Sequence, residues 1–143
     1  MENHAEIKII SRSENVGLAR IAAATFASEL DFTLSELEEI KVAVSEAVSN
    51  CIIHGYPGDT GDVEIEMKIK EDRLSITVTD YGVGISDVEA VLQPSYTTRD
   101  EHMGLGLAFI DSFMDSFQLE SEVEEGTVLT MIKSPEKAKN AVE

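Results

Sequence analysis

Glu46-Ala47-Val48-Ser49-Asn50-Cys51-Ile52-Ile53-His54-Gly55 is the stretch on which the reading of this chain turns. Glu46, Asn50 and His54 recur every four residues. At about 100° per residue each step of four drifts only about 40°, so the three side chains share one helical stripe. A carboxylate, an amide and an imidazole so aligned suit a metal, a phosphate or a proton transfer. They suit an ordinary solvated helix face equally well. Leu37, Ile40, Val44, Ala47, Val48 and Cys51 form the apolar stripe of the same helix, and the polar triplet lies on its far side. It therefore faces water or a ligand, not the core. Ser35, with Glu38 three residues on, reads as a capping box at the start of this helix. Gly55 suits the left-handed conformation that ends helices, and Pro57-Gly58 forbids continuation.

Working outward, Ile7 and Ile9 mark a short opening strand. Ser13 reads as the N-cap of a helix carrying Val16, Leu18, Ala19, Ala22, Ala23, Phe26 and Leu30. Arg20 lies within it, as a solvated charge on the residues alone. Beyond the central helix the period changes to two. Val63, Ile65, Met67 and Ile69 alternate with charged residues, Glu71-Asp72-Arg73 turns, and Leu74, Ile76 and Val78 alternate again, which predicts an antiparallel hairpin. The second strand runs into Asp80-Tyr81-Gly82-Val83-Gly84-Ile85. Ser86 with Glu89 reads as a capping box for a short helix through about Leu92, and 94–103 reads as a loop. Gly104-Leu105-Gly106 is expected to open a helix with Leu107, Ile110, Phe113, Met114 and Phe117. Two strands follow, around Leu119–Val123 and Val128–Met131, with a charged, frayed tail after Pro135. The order predicts an α/β (α+β) two-layer sandwich, with helices on one face of a mixed, mostly antiparallel sheet.

A chain of 143 residues fits a single domain, 1–143, with a core of about 5–133 and a charged tail 134–143. With 28 Asp and Glu against 11 Lys and Arg, the net charge of −17 argues against direct nucleic-acid or anionic-membrane binding. A phosphate-bearing ligand would call for a divalent cation in such a field. No apolar run reaches the roughly 18–20 residues of a membrane span, and no signal sequence opens the chain, so a cytoplasmic location is expected. Cys51 is the only cysteine, which leaves no intrachain disulfide and suits packing better than nucleophilic work.

There is no G-x-x-x-x-G-K-[ST] loop, no set of eukaryotic protein-kinase motifs, no zinc spacing and no G-x-S-x-G elbow. What remains is two glycine pairs at element junctions. Asp80-x-Gly82-x-Gly84 follows a strand, where glycines permit close backbone approach and a buried carboxylate can accept from an amine. Gly104-x-Gly106 at a helix start would offer free N–H groups to an anion. Thr97, Thr98 and Arg99 add hydroxyls and a cation nearby. Each pair alone is an ordinary turn signal.

Taken in order, Glu46-x-x-x-Asn50, Asp80-x-Gly82-x-Gly84, Gly104-x-Gly106 and Gly126-Thr127 resemble the Bergerat ATP-binding fold of the GHKL superfamily, across about residues 5–133. Within it a free-standing domain of this length resembles the bacterial anti-sigma factor/serine-protein kinases. The segments 44–56, 93–98, 111–115 and 120–123 are most similar to the sporulation type. The resemblance implies that Glu46 is the general base toward a serine of a partner and that Asn50 coordinates Mg²⁺ on ATP. Asp80 would read the adenine amine with support from Thr127, over a floor of Gly82, Gly84 and Ile85. Thr97, Thr98, Arg99 and the Gly104-Leu105-Gly106 segment would hold phosphates, and Arg20 would face the sigma factor and the anti-anti-sigma antagonist. It further implies a homodimer.

The chain departs from the family pattern in a short lid, Arg99-Asp100-Glu101-His102-Met103-Gly104, where Asp100 and Glu101 stand where phosphate should sit. Two alternatives therefore stay beside the kinase: a non-catalytic, ATP-dependent anti-sigma or switch module, and a stress-response switch kinase of the same superfamily. A piece of a histidine kinase would instead place phosphate on histidine.

Overall fold

The computed structural model describes residues 2–93 and 101–140. Five strands form one open sheet: β1 (Glu2–Ile10), β2 (Asp62–Lys70), β3 (Arg73–Asp80), β4 (Ser116–Glu122) and β5 (Gly126–Lys133). The spatial order is β1-β2-β3-β5-β4, and every neighbouring pair is antiparallel. The expected mixture of directions is therefore absent between neighbours, because β5 inserts between β3 and β4. The opening strand is also longer than its two isoleucines suggested, pairing with β2 from Glu2↔Lys70 to Ile10↔Asp62.

Alternation decides which face is buried. Val63, Ile65, Met67 and Ile69 of β2, with Leu74, Ile76 and Val78 of β3, are all 2% exposed or less. Their outward neighbours, such as Glu64, Thr77 and Thr130, stay partly accessible. Three helices cover the inward face: α1 (Val16–Ala27), α2 (Leu34–Asn50) and, after the short α3 (Val88–Val91), α4 (Glu101–Phe113). Ala19, Ala23 and Ala27, spaced by four and fully buried, give α1 a smooth side against the core. The two-layer α+β reading holds.

The helix ends differ from the sequence reading in instructive ways. Thr33, not Ser35, caps α2: its hydroxyl accepts from the Glu36 N–H at 3.1 Å, and Glu36 accepts from the Thr33 N–H at 2.8 Å. Both segments, 33–36 and 35–38, fit the capping pattern, and α2 takes the earlier start. Asp87, not Ser86, caps α3, its side chain accepting from the Ala90 N–H at 3.1 Å. Ser13 opens a short 3-10 turn (Ser13–Asn15) before α1 and makes no cap bond to it.

The tail is not loose where it is described. Glu36 accepts from the Glu136 N–H at 3.0 Å, which anchors α5 (Glu136–Asn140), and Lys139 reaches Asp115 at 2.7 Å. Lys133 takes an inward position on β5 yet is 7% exposed, because its Nζ donates to the carbonyl of Phe113 at the end of α4.

Burial pushes the pKa of Glu36 up, but hydrogen bonds from the Thr33 and Glu136 amides, then the Thr33 hydroxyl and the Lys133 charge, more than reverse this and hold it below the ordinary carboxylate value. In urea unfolding at pH 7, Thr33→Ala should cost about 1 kcal/mol. Glu36→Ala should cost more, since it strands the Glu136 amide as well. A depressed folded-state pKa supplies stability that is full above the unfolded value and lost as pH falls through the folded one. The stability gap between the parent protein and Glu36→Ala should therefore close as the pH drops below the carboxylate range.

Candidate functional site

The period of two on β3 sends Asp80 to the same face as Leu74, Ile76 and Val78, so a carboxylate lands where the next core residue would stand. It is 3% exposed. Its partner across the ladder is Thr127 of β5, whose own partner on β4 is Ser121. Asp80, Thr127 and Ser121 thus form a polar row across one end of the buried sheet face. Burial pushes the Asp80 pKa up, against hydrogen bonds from the Gly82 amide, the Cys51 thiol and the Thr127 amide. The Gly82 N–H donates at 2.9 Å.

The second wall comes from the end of α2. There the helix widens into a π turn, Cys51–Gly55, closed by the Tyr56 N–H donating to the Cys51 carbonyl at 3.0 Å. Gly55 is not in the left-handed conformation expected of it. It is glycine for want of room: a Cβ there would lie 2.8 Å from the Asp80 carboxyl carbon. A Cβ on Gly82 would lie 1.9 Å from the Gly55 carbonyl, and the next amide, Val83 N–H, donates to that carbonyl at 2.9 Å. The crowding at this glycine thus comes from the protein's own backbone. Burial, and then the Asp80 charge, push the Cys51 thiol well up, which removes any nucleophilic role at neutral pH and agrees with packing.

On the opposite side, Ser121 accepts from the Ile85 N–H at 2.7 Å and lies 2.8 Å from the Thr127 hydroxyl. The Gly84–Ile85 turn is thereby fastened to the far edge of the sheet. Ser121 was missed in the sequence, although its inward parity with Phe117 and Leu119 was readable there.

Between these walls lies a cavity of about 30 Å³ whose lining includes Asn50, Asp80, Ile85, Met103, Leu107 and Thr127. That is room for a water, not for a purine. A wider cleft of about 390 Å³, running past Gly84, Asp87 and Val91, shares His54, Ile85 and Met103 with it.

Glu46 and Asn50 stand beside α4. A Cβ on Gly106 would lie 2.8 Å from a Glu46 carboxylate oxygen and 3.6 Å from the Asn50 amide oxygen. Gly104, Leu105 and Gly106 do not open α4, as expected, but lie inside it, since it starts at Glu101. Gly106 is in its second turn, past the amides that a helix leaves without partners. Arg20 is elsewhere, on α1, reaching Ser45 of α2 at 3.5 Å. Thr97, Thr98 and Arg99 lie outside the described residues. The structure therefore brings together Glu46, Asn50, Asp80, Gly82, Gly84, Ile85, Gly106 and Thr127, and sets Arg20 apart.

A polar row thus closes an apolar cavity in an α+β domain, with the Glu46 carboxylate and the Asn50 amide beside the neighbouring glycine of α4. The family model for the histidine kinase-like ATPase domain matches residues 9–133, and the chain belongs to that family. ATP is accordingly its nucleotide. The chain is 46% identical over 135 residues to the anti-sigma F factor of Clostridium acetobutylicum, covering 93% of this chain and 94% of that protein. It is 44% identical over 136 residues to the anti-sigma F factor of Clostridium perfringens, covering 93% and 97%. Among solved structures it is similar in fold to the histidine kinase domain of the blue-light activated histidine kinase of Erythrobacter litoralis EL346. That match has a TM-score of 0.57 at 14% identity and spans 90% of this chain but 63% of the other. A longer structure of the same kinase gives a TM-score of 0.61 at 15% identity, with 43% of that chain covered.

Because burial raises the Asp80 pKa, ATP affinity should weaken on acidification before an ordinary carboxylate would titrate. Asp80→Asn should lack this limb of the pH profile, read by calorimetric titration of both proteins. Gly106→Ala should leave the thermal midpoint unchanged or raised, since alanine favours helix by up to about 1 kcal/mol and only the far end of Glu46 must move. The displaced carboxylate should then show as a fall in whatever turnover Glu46 serves.

Proposed function

We propose that this protein is an anti-sigma factor that is also a serine-protein kinase. It binds and inhibits a sporulation-type sigma factor, and uses Mg²⁺-ATP to phosphorylate a serine on a small anti-anti-sigma antagonist. One observation carries the reading: the likeness to proteins named anti-sigma F factor runs almost end to end, at 46% identity over 93% of this chain for the first of them. The site geometry supports it, because Glu46 and Asn50 stand beside the same glycine of α4 while Asp80 and Thr127 line the cavity behind them.

The roles follow from the chemistry. Asp80 and Thr127 seat the adenine amine, with Gly82, Gly84 and Ile85 as the floor beneath the ring. The Asn50 amide oxygen, a hard neutral donor beside a carboxylate, suits Mg²⁺. That ion, when bound, neutralises charge on the transferring phosphate. Thr97, Thr98 and Arg99 hold the phosphates, beside the first turns of α4 that carry Gly104, Leu105 and Gly106. Glu46 takes the proton of the substrate serine as its oxygen bonds to the terminal phosphorus and ADP departs. The rest is positioning, which this fold supplies by fixing α2 and α4 against one sheet.

Arg20 belongs to the partner surface rather than the nucleotide site, in keeping with its place on α1. The protein works as a homodimer in the cytoplasm, without direct contact to nucleic acid or membrane. No helix among the described residues is long and apolar enough to cross a membrane.

Purified protein, labelled ATP and the antagonist test this together. Glu46→Ala should lower phosphoserine formation by about a hundredfold or more, the reach of a general base, while leaving ATP affinity within about threefold. Transfer at the normal rate by Glu46→Ala would falsify the base assignment. Sigma binding with no phosphoserine from the parent protein would make it a non-catalytic switch module, and phosphohistidine would remove it from the serine kinases.

A further inference from the structure

Ser121 has no part in the roles above, yet its one proton bears on the state of its neighbour. Its hydroxyl oxygen lies 2.9 Å from the Gly126 carbonyl, which can only accept, so the Ser121 proton goes there. The Ile85 N–H, which can only donate, occupies one lone pair at 2.7 Å. The remaining contact is with the Thr127 hydroxyl at 2.8 Å. With the Ser121 proton assigned to Gly126, Thr127 becomes the donor in that pair. The Thr127 hydroxyl then keeps only lone pairs for any other partner.

Thr127 and Asp80 are cross-strand partners, and both line the inner cavity. An ionised Asp80 is also an acceptor without protons. We propose that Ser121 is a specificity-determining positioning residue: by taking the Thr127 proton it makes the polar end of the cavity acceptor-only, which suits a ring amine and repels a ring carbonyl. This rests on the reading that Asp80 and Thr127 meet position 6 of the purine.

The discrimination follows from matching donors. A 6-amino group brings two N–H bonds to two acceptors. A 6-oxo group brings lone pairs against lone pairs, a mismatch a freely turning threonine hydroxyl would relieve by donating. Ser121 prevents that turn. Sites that leave a polar group unmatched discriminate strongly, and the effect belongs to the hydroxyl orientation rather than to pocket shape.

The test is the ratio of affinities for ATP and inosine triphosphate, each with Mg²⁺, by calorimetric titration of the full chain. The unmodified protein should prefer ATP. Ser121→Ala should lower that preference about five- to tenfold, the worth of one hydrogen bond, because ATP weakens while inosine triphosphate holds or gains. Thr127→Val should lower the ratio alike, and adding Ser121→Ala to it should change the ratio no further. Ser121→Thr should restore the parent ratio. An equal loss for both nucleotides in Ser121→Ala overturns the proposal and leaves Ser121 as a tie for the Ile85 turn. So does a further fall in the double variant. If Ser121→Ala does not fold, Ser121→Cys, of similar size with a weak acceptor, reads the same ratio. No preference for ATP in the unmodified protein overturns the reading of Asp80 and Thr127, and this inference with it.

Discussion

A carboxylate in a core position is the constraint to which the rest of this structure answers. The alternation of β3 carries Asp80 onto the buried face, where desolvation penalises its charge. The fold answers with donors of three kinds: a loop amide at Gly82, a strand amide at Thr127 and the Cys51 thiol. Each requires a different element to arrive at the same place. The loop needs glycine at residue 82 to pass beneath the Gly55 carbonyl, and α2 must widen into a π turn to present Cys51 and Gly55 together. A buried charge so surrounded is costly to keep, and such costs are tolerated where binding needs them.

The sheet and helices supply rigidity in proportion. The inward side chains of β2 and β3 are almost wholly inaccessible, so the row at the sheet's end cannot drift without disturbing the core. Two charged residues brace the periphery. Glu36 caps α2 and receives α5, while Lys133 closes the last turn of α4 from the neighbouring strand. Through these two, the chain's C-terminal segment holds both helices that flank the cavity.

Much of this was legible in the residues. Period two over 63–69 and 74–78 gave the central hairpin, and the same parity carried to residue 80 places Asp80 inward. Helix boundaries were less legible. The 33–36 and 35–38 segments both satisfy the capping pattern, and only packing chooses between them. The start of α4 is not legible for a related reason: Glu101 and His102 are polar and lack periodicity, yet they open a helix whose apolar stripe begins at Met103. Gly55 was read through its backbone freedom, whereas its small size is what the Asp80 carboxyl requires. That requirement is tertiary, and nothing local announces it. Ser121 was overlooked because its importance lies in a proton count among three partners drawn from two other segments.

The inner cavity holds about 30 Å³, with Met103 and Leu107 among its lining, and is smaller than a purine ring. A purine seated there would have to displace part of that lining, and part of the apolar surface it covered would already have been dry. The hydrophobic gain on such binding would be correspondingly muted, and so would the heat-capacity change that accompanies it. Affinity then depends on how readily α4 yields its core contacts. A substitution at Met103 that never touched the nucleotide's polar groups would retune it, by changing what the nucleotide has to displace.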